Sequence, residues 1–235
     1  MRDFKDGVSP PLKQVRDFKD GVSPPLKQVR DFKEQGEIFL AFIFSRMCYM
    51  KFYTIDNDYV KKLYQIDHEV FYERLNYENK PYVGIVIQNN NFNYFLPLTS
   101  AKPKHKNWNN VSKTNYIIYE MLPANFSPIS EKWVYTANQN NIKHILSVLE
   151  IKKMIPVPKN YYTEMNFSQI PDINYRALVQ KEYDFLKPLQ NEIFHKAIKL
   201  YNAQKSSGII IPFACNYSKL EKVCKEVSNK VLSIV

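Results

Sequence analysis

A perfect tandem repeat opens the chain and separates its first part from any segment that can build a core. Residues 2–15 read RDFKDGVSPPLKQV, residues 16–29 repeat these fourteen letters unchanged, and a third copy starts at Arg30 and fails at Glu34. Each copy carries a Pro-Pro pair, which interrupts a helix or a central strand. Solenoid repeats are typically about 20–50 residues long and need at least about three copies. The repeat therefore predicts no folded unit.

Identity at all fourteen positions points to the nucleic acid, because a disordered arm tolerates drift. The period corresponds to a tandem repeat of 42 nucleotides. The apolar run IFLAFIF follows, and it is shorter than the roughly 20 residues of a membrane helix and is what U-rich codons encode. We predict that residues 1–49 are a non-native, disordered extension and that the protein starts at Met50, or less favourably at Met47. A genuine disordered arm is the alternative.

Residues 50–235 are enough for one domain with a substantial core. Nine of the 33 Lys and Arg and seven of the 23 Asp and Glu precede Met50, which leaves this domain a net charge of +8. A positive balance favours polyanionic partners. No later stretch is long and apolar enough for a membrane helix, and Cys48, Cys215 and Cys224 lack metal-site spacing. We expect reduced thiols and a cytoplasmic location.

Short strand patterns dominate the first two thirds of this domain. KFYTI predicts an opening strand, and DYVKKLYQI predicts a short amphipathic helix with Val60, Leu63 and Tyr64 on one face. VGIVIQ and FNYFLPL flank three asparagines and predict a hairpin. NYIIYEML, KWVYT and ILSVLEIKKMIPV supply further apolar segments, the last of which begins with a helical pattern. The total is five or six strands.

Helical periodicity takes over in the last third. NYRALVQKEYDFL forms one helical face on which only Glu182 is polar, with Pro188 at its end or at a kink. NEIFHKAIKLYNAQ is a second short helix. Ser218 and Glu221 have the spacing of a capping box, followed by a buried stripe of Leu220, Val223, Cys224, Val227 and Val231. The fold class is α+β, with a compact, mostly antiparallel sheet or barrel core and about four surrounding helices.

A basic block after the second strand of the hairpin carries the candidate chemistry. The sequence contains no P-loop, dinucleotide fingerprint, HExxH motif or Cys/His metal cluster. Hydroxyls at a strand end, three lysines, a histidine and a tryptophan can bind a phosphodiester backbone and stack a base; they are Thr99, Ser100, Lys102, Lys104, His105, Lys106 and Trp108. His105 is also an acid–base candidate by its intrinsic pKa. A solvated loop is the plain alternative.

Several segments in order resemble the endoribonuclease toxins of type III toxin–antitoxin systems, the ToxN/AbiQ family. MKFYTI resembles the family's N-terminus, KPYVGIV its first core strand and FLPLTS its Leu-Thr-Ser turn. KKMIPV, the helix that contains Tyr175 and Arg176, and CNYSKLE resemble later family segments. The resemblance spans nearly all of residues 50–235 and leaves the first 49 residues outside.

The resemblance implies a compact sheet similar to the MazF/Kid toxins and RNA cleavage without a metal or other cofactor. The 2′-hydroxyl would attack the adjacent phosphate, giving 2′,3′-cyclic phosphate and 5′-hydroxyl products. Lys80 and the pair Thr99 and Ser100 occupy the family's active-site positions. Lys80 would stabilise charge and take part in proton transfer, while the two hydroxyls would hold the nonbridging oxygens. Tyr77 is the nearest match to the family's tyrosine.

The family also accounts for the opening repeat, because its toxins are encoded directly behind a noncoding antitoxin RNA of short tandem repeats and a terminator. We interpret residues 1–48 as largely that RNA gene in translation. The expected partner is a pseudoknot-like repeat RNA, about one 42-nucleotide unit per toxin, in a cyclic assembly. The substrate would be cellular or phage RNA, and cleavage would stop growth of phage-infected bacteria. The alternatives are a non-catalytic RNA-binding domain and a structural or peptide-binding protein with a disordered arm.

Overall fold

A computed structural model describes residues 50–72, 81–88, 92–126, 134–137 and 140–232. This part of the chain holds eight β-strands and four α-helices. The strands are β1 Lys51–Ile55, β2 Tyr82–Gln88, β3 Asn93–Ser100, β4 Asn115–Pro123, β5 Val134–Ala137, β6 Asn141–Glu150, β7 Ile155–Val157 and β8 Tyr162–Glu164. The helices are α1 Asn57–Ile66, α2 Ile173–Leu186, α3 Gln190–Ser207 and α4 Tyr217–Leu232. The extension at residues 1–49 and the three-asparagine turn lie outside the described residues.

The eight strands form one sheet in the order β4-β6-β3-β2-β1-β8, with β5 beside β6 and β7 beside β3. Each pairing among these strands is antiparallel. One edge of β3 is shared by two strands, because β7 pairs with its first half and β6 pairs with its last three residues. The prediction of an α+β fold with an antiparallel sheet is confirmed.

The sequence of β3 is a nearly continuous apolar run because the strand is buried in the core. Its residues are buried from Asn93 to Thr99, and only Ser100 is exposed. Phe95 packs edge-on against Tyr53, with 5.1 Å between the ring centroids, and lies tilted against Tyr162, with 4.7 Å between the centroids. A smaller apolar cluster on β4, β5 and β6 contains Ile117, Val134, Ile145 and Val148. A strand covered on both faces gives no polar–apolar alternation.

Local signals set the ends of α1 and α2. Asp56 accepts a hydrogen bond from the Tyr59 N–H at 2.7 Å and so caps α1, whose buried face includes Val60 and Leu63 as predicted. Helix α2 ends at Leu186, and the three-residue 3-10 turn that contains Pro188 leads directly into α3. None of the helices in the described ranges is long and apolar enough to span a membrane.

The predicted capping box of α4 is wrong. The helix starts one residue before Ser218, and Asn216 caps it by accepting a hydrogen bond from the Lys219 N–H at 3.1 Å. Glu221 turns inward instead, where its carboxylate accepts hydrogen bonds from the hydroxyls of Tyr94 and Tyr201 at 2.9 and 2.8 Å. Lys205 forms an ion pair with the same carboxylate at 2.7 Å, so the buried charge is compensated, and loss of a partner would leave a costly unpaired charge.

Two further expectations need correction. The run that begins ILSVLE was predicted to start as a helix, but it forms β6, because hydrogen bonding to β3, β4 and β5 overrides local propensity. The predicted total of five or six strands is too low, because β7 and β8 have three residues each and such short strands leave little pattern. The prediction that Cys224 belongs to the core is confirmed.

Candidate active site and nucleic-acid interface

The two candidate hydroxyls lie at the end of β3 and differ in access. Ser100 is exposed, whereas Thr99 is 6% exposed and its hydroxyl donates to the Val148 carbonyl at 3.4 Å. Neighbouring side chains on a strand point to opposite faces, so the two hydroxyls do not share one face. Ser100 is therefore the group that an external ligand reaches, and Thr99 ties the strand end to β6.

The start of β2 joins β3 beside these hydroxyls. The Leu98 N–H donates to the Pro81 carbonyl at 3.1 Å, one residue before Thr99. Tyr77 and Lys80, the other two candidate catalytic residues, lie outside the described residues. Lys80 directly precedes Pro81 in the sequence.

Residues 102–108, which we call the basic turn, follow one residue after the end of β3 and contain a 3-10 helix at Pro103–Asn107. The backbone of Lys102 and both the backbone and ring of His105 close this turn. The Lys102 N–H donates to His105 Nδ1 at 3.0 Å, and the His105 N–H donates to the Lys102 carbonyl at 2.8 Å. This reciprocal pair fixes the direction in which the chain leaves the sheet.

His105 is buried in the basic turn, with 2% of its surface exposed. Burial, and to a lesser extent the charges of Lys104 and Lys102, lower its pKa from 6.5 to about 4. Because Nδ1 accepts a hydrogen bond, the neutral ring carries its proton on Nε2. The sequence placed His105 among the RNA contacts and the acid–base candidates; the structure gives its ring a supporting part in the turn.

The three lysines of the basic turn are exposed, while its tryptophan is half-buried. Trp108 packs against the small cluster on β4, β5 and β6 and lies 4.7 Å from the His105 ring. The Nζ of Lys104 is 5.4 Å from the Trp108 ring centroid, and the Nζ of Lys106 is 5.4 Å from that of Tyr135. The turn is thus docked by its apolar side while its charges remain at the surface.

Glu150 interacts electrostatically both with lysines of the basic turn and with Lys152 and Lys153. The sequence did not reveal that these two groups of lysines lie near one carboxylate. Its carboxylate is buried, which raises its pKa, and Lys152, Lys153, Lys104 and Lys102 oppose that rise. Lys153 also forms an ion pair with Glu69. Sequence separation hides this group, because about fifty residues lie between Lys102 and Lys152. The surface around Glu150 carries a surplus of positive charge.

A second buried carboxyl lies behind the strand end. Ser147 on β6 is the register partner of Ser100, and its hydroxyl opposes the rise in the pKa of Glu182 on α2, which burial brings to about 7. Glu182 is the one polar residue of the apolar α2 face noted in the sequence. Among the described residues, no group of three His, Cys, Asp or Glu side chains could hold a metal ion.

The buried imidazole predicts a pH dependence of stability. The folded-state pKa of His105 is about 4, against 6.5 for an unperturbed histidine, so the unfolded chain binds more protons between these values. His105 therefore contributes stability above about pH 6.5 that is lost as the pH falls toward 4. We expect His105→Asn, which keeps an acceptor for the Lys102 N–H and does not titrate, to lose less stability over this interval.

Urea unfolding of both proteins at several pH values checks this expectation. Comparison of the two is necessary because Glu182, whose raised pKa of about 7 has the opposite effect on stability, titrates in the same range. The free-energy difference between wild type and variant should shrink as the pH falls. A constant difference would show that His105 is not held neutral in the folded state.

Comparisons with known proteins show that most of this chain is similar to one family of toxins. The family described as toxin ToxN of type III toxin–antitoxin systems matches residues 51–225. The chain is 27% identical to an endoribonuclease ToxN of Bacillus thuringiensis subsp. kurstaki, over 77% of this chain and 85% of the relative. It is 26% identical to the endoribonuclease AbiQ of Lactococcus lactis subsp. lactis, over 77% of this chain and 91% of the relative.

A solved structure is also similar in fold. It comes from a bacterial type III toxin–antitoxin system, in which a non-coding RNA pseudoknot selectively inhibits the toxin. The TM-score is 0.57 at 26% identity, and the match covers 77% of this chain and 98% of that one. The family resemblance stated from the sequence is confirmed.

Proposed function

The chain belongs to the ToxN toxin family of type III toxin–antitoxin systems, and from this membership we propose that it is an endoribonuclease toxin held inactive by a repeat antitoxin RNA. The observation that carries the proposal is the exposed Ser100 hydroxyl at the end of β3, followed at once by the exposed lysines of the basic turn. This places a hydrogen-bond donor and positive charge beside each other at the surface, as phosphate chemistry requires.

The proposed reaction is in-line attack of an RNA 2′-oxygen on the adjacent phosphorus. A base removes the 2′-hydroxyl proton, a bond from the 2′-oxygen to phosphorus forms, and the bond from phosphorus to the 5′-oxygen breaks. The leaving 5′-oxygen takes up a proton from an acid. The products are a 2′,3′-cyclic phosphate and a 5′-hydroxyl, and atoms balance without a metal ion or another cofactor.

We assign the two hydroxyls their roles from whether a bound RNA can reach them. Ser100 donates to a nonbridging oxygen, and Thr99 holds the strand end through its bond to β6. Lys80 supplies positive charge and takes part in proton transfer. It directly precedes Pro81 in the sequence, and the Pro81 carbonyl accepts a hydrogen bond from the Leu98 N–H near the end of β3. This proximity in the chain supports the proposed role. Tyr77 is the fourth proposed catalytic residue. The described sheet is compatible with the finer proposal of a MazF/Kid-like core.

The basic turn is the proposed RNA-binding surface, with Lys102, Lys104 and Lys106 on phosphates and Trp108 against a base. His105 supports the turn from beneath. The partner is a pseudoknot-like repeat RNA, about one 42-nucleotide unit per toxin, in a closed ring of alternating protein and RNA. A similar structure that concerns toxin inhibition by an RNA pseudoknot supports this proposal. The substrates are cellular or phage RNA in the cytoplasm, and the outcome is growth arrest of infected bacteria.

RNA cleavage by the purified protein tests the proposal. We expect the protein to cut single-stranded RNA in the presence of excess EDTA and to leave 2′,3′-cyclic phosphate ends, because the reaction needs no metal. End analysis of the fragments measures this directly. Binding of RNA without cleavage under any of these conditions would favour the non-catalytic RNA-binding domain instead.

We also propose that residues 1–49 are not part of the native product and that residues 50–235 form the toxin domain. The exact repeat and the family match from residue 51 support this division. Expression from the native operon should therefore yield a protein that starts at Met50, or at Met47, as measured by intact mass. A purified product that retains the repeat would contradict the interpretation of residues 1–48 as antitoxin RNA in translation.

A further inference from the structure

The loop between α3 and α4 presents an aromatic ring to solvent. Phe213 is 69% exposed, and its backbone has φ of 60°, in the left-handed region that non-glycine residues seldom adopt. Gly208, with φ of 70°, ends α3 at the start of the same loop. Such backbone conformations persist where the surrounding structure holds them, and they cluster at functional sites.

Hydrogen bonds to the protein interior hold this loop in place. The Cys215 N–H donates to the Lys152 carbonyl at 3.0 Å, and the Gln204 amide donates to the Cys215 carbonyl at 3.0 Å. The Ala214 N–H donates to the Ile211 carbonyl at 3.1 Å. Cys215 itself is fully buried. The Phe213 ring is therefore presented by a fixed base, so a ligand that stacks on it need not order the loop first.

A lysine lies beside the exposed ring and connects it to the basic turn. The Nζ of Lys152 is 5.4 Å from the Phe213 ring centroid, within reach of a cation–π contact. Lys152 is also the foremost of the lysines that hold down the pKa of Glu150, and Lys102 and Lys104 of the basic turn belong to the same group. Phe213 and Lys152 therefore lie next to the group of lysines that includes those of the basic turn.

We propose that Phe213 and Lys152 form a stacking subsite for an unpaired RNA base, with Lys152 against an adjoining phosphate. The subsite rests on the proposed function and extends the RNA path beyond the basic turn. Single-stranded RNA fits both groups, since every base offers a flat face to an aromatic ring and every nucleotide carries a phosphate for a lysine. An apolar protein partner would instead have to cover the charge of Lys152.

The probe is a single-stranded RNA with 2′-O-methyl groups, which the toxin cannot cleave, and with 2-aminopurine placed at one position at a time. Stacking on Phe213 should quench 2-aminopurine fluorescence at a single position in the complex with the full chain. Phe213→Leu keeps an apolar side chain but removes the ring, so it should abolish the quenching and weaken binding by about tenfold. Phe213→Trp should retain both.

Two further variants separate the ring from its surroundings. Lys152→Gln should flatten the dependence of log K on log salt by about 0.7, the contribution of one phosphate contact in single strands. Ile209 lies in the same loop with 70% of its surface exposed, and Ile209→Ala is expected to leave RNA binding and quenching unchanged. It is therefore the matched control for an exposed apolar side chain.

Quenching that persists in Phe213→Leu, or equal weakening by Ile209→Ala, would overturn the subsite; the second result would show that RNA binding depends on the apolar loop in general and not on a ring that stacks on a base. Failure of the proposed function would look different. A wild-type protein that quenches the probe but cleaves no RNA would sustain the subsite and refute the endoribonuclease. Normal cleavage with unchanged RNA binding in Phe213→Leu and Lys152→Gln would sustain the endoribonuclease and refute the subsite.

Discussion

Replacement of Ser100 with alanine is expected to lower the rate of RNA cleavage by about 10²–10³-fold, the usual cost of removing one donor that stabilises a developing charge. The hydroxyl is exposed at the end of β3, so it is available to a phosphate oxygen. For the same reason its loss should leave the core undisturbed. Single-turnover cleavage of a defined RNA measures the effect on the chemical step, and the midpoint of urea unfolding measures the effect on stability.

Ser206→Ala is the matched control, because Ser206 is an exposed serine near the end of α3 whose hydroxyl bonds only a backbone carbonyl among its described contacts. It should cleave RNA like the wild type. If Ser100→Ala also cleaves at the wild-type rate, the end of β3 is not the reaction centre. If it loses activity only together with stability, its role is structural.

Local periodicity accounts for the parts of the fold that the sequence predicted well. Helix α1 combines an N-terminal aspartate cap with apolar residues at helical spacing, so its sequence and its packing give the same answer. The same agreement holds for α2, which Pro188 limits at its C-terminal end. The hairpin strands β2 and β3 were also predicted correctly, because both are long and rich in β-branched and aromatic residues.

Tertiary contacts decided the parts that the sequence could not predict. The apolar run of β6 fits a helix or a strand, and only its pairing with neighbouring strands selects one. Glu221 matches a capping box by spacing, yet its position on the buried side of α4 gives it two tyrosine hydroxyls as partners. A sequence pattern shows neither which side of an element is covered nor what covers it.

The candidate site shows the same division between local and distant information. The hydroxyls at the strand end and the lysines that follow them are contiguous in sequence, so their association was predictable. The burial of His105 was not, because it depends on how the basic turn docks on strands far along the chain. The group around Glu150 joins residues from two separate segments. Its positive surplus became visible only with the fold.

Simultaneous replacement of Lys102, Lys104 and Lys106 with alanine is expected to weaken binding of the repeat RNA and to flatten its salt dependence. Each phosphate contact contributes roughly −0.7 to −0.9 to the slope of log K against log salt. Loss of three contacts should therefore reduce the slope by roughly 2 to 3, with a loss of affinity that is largest at low salt. Titration of one 42-nucleotide unit at several salt concentrations measures both quantities.

The control must remove the same charge from another surface, because a lower net charge alone weakens attraction to any polyanion. Lys61 on α1 and Lys222 and Lys225 on α4 are exposed and suit this purpose. Their triple alanine variant should keep nearly the full slope, since long-range attraction is largely screened beyond about 8 Å at physiological salt. Equal losses in the two triple variants would show that the RNA responds to overall charge. The basic turn would then not be the specific binding surface for the repeat RNA, and co-expressed repeat RNA should still rescue the growth of cells that express the Lys102, Lys104 and Lys106 triple variant.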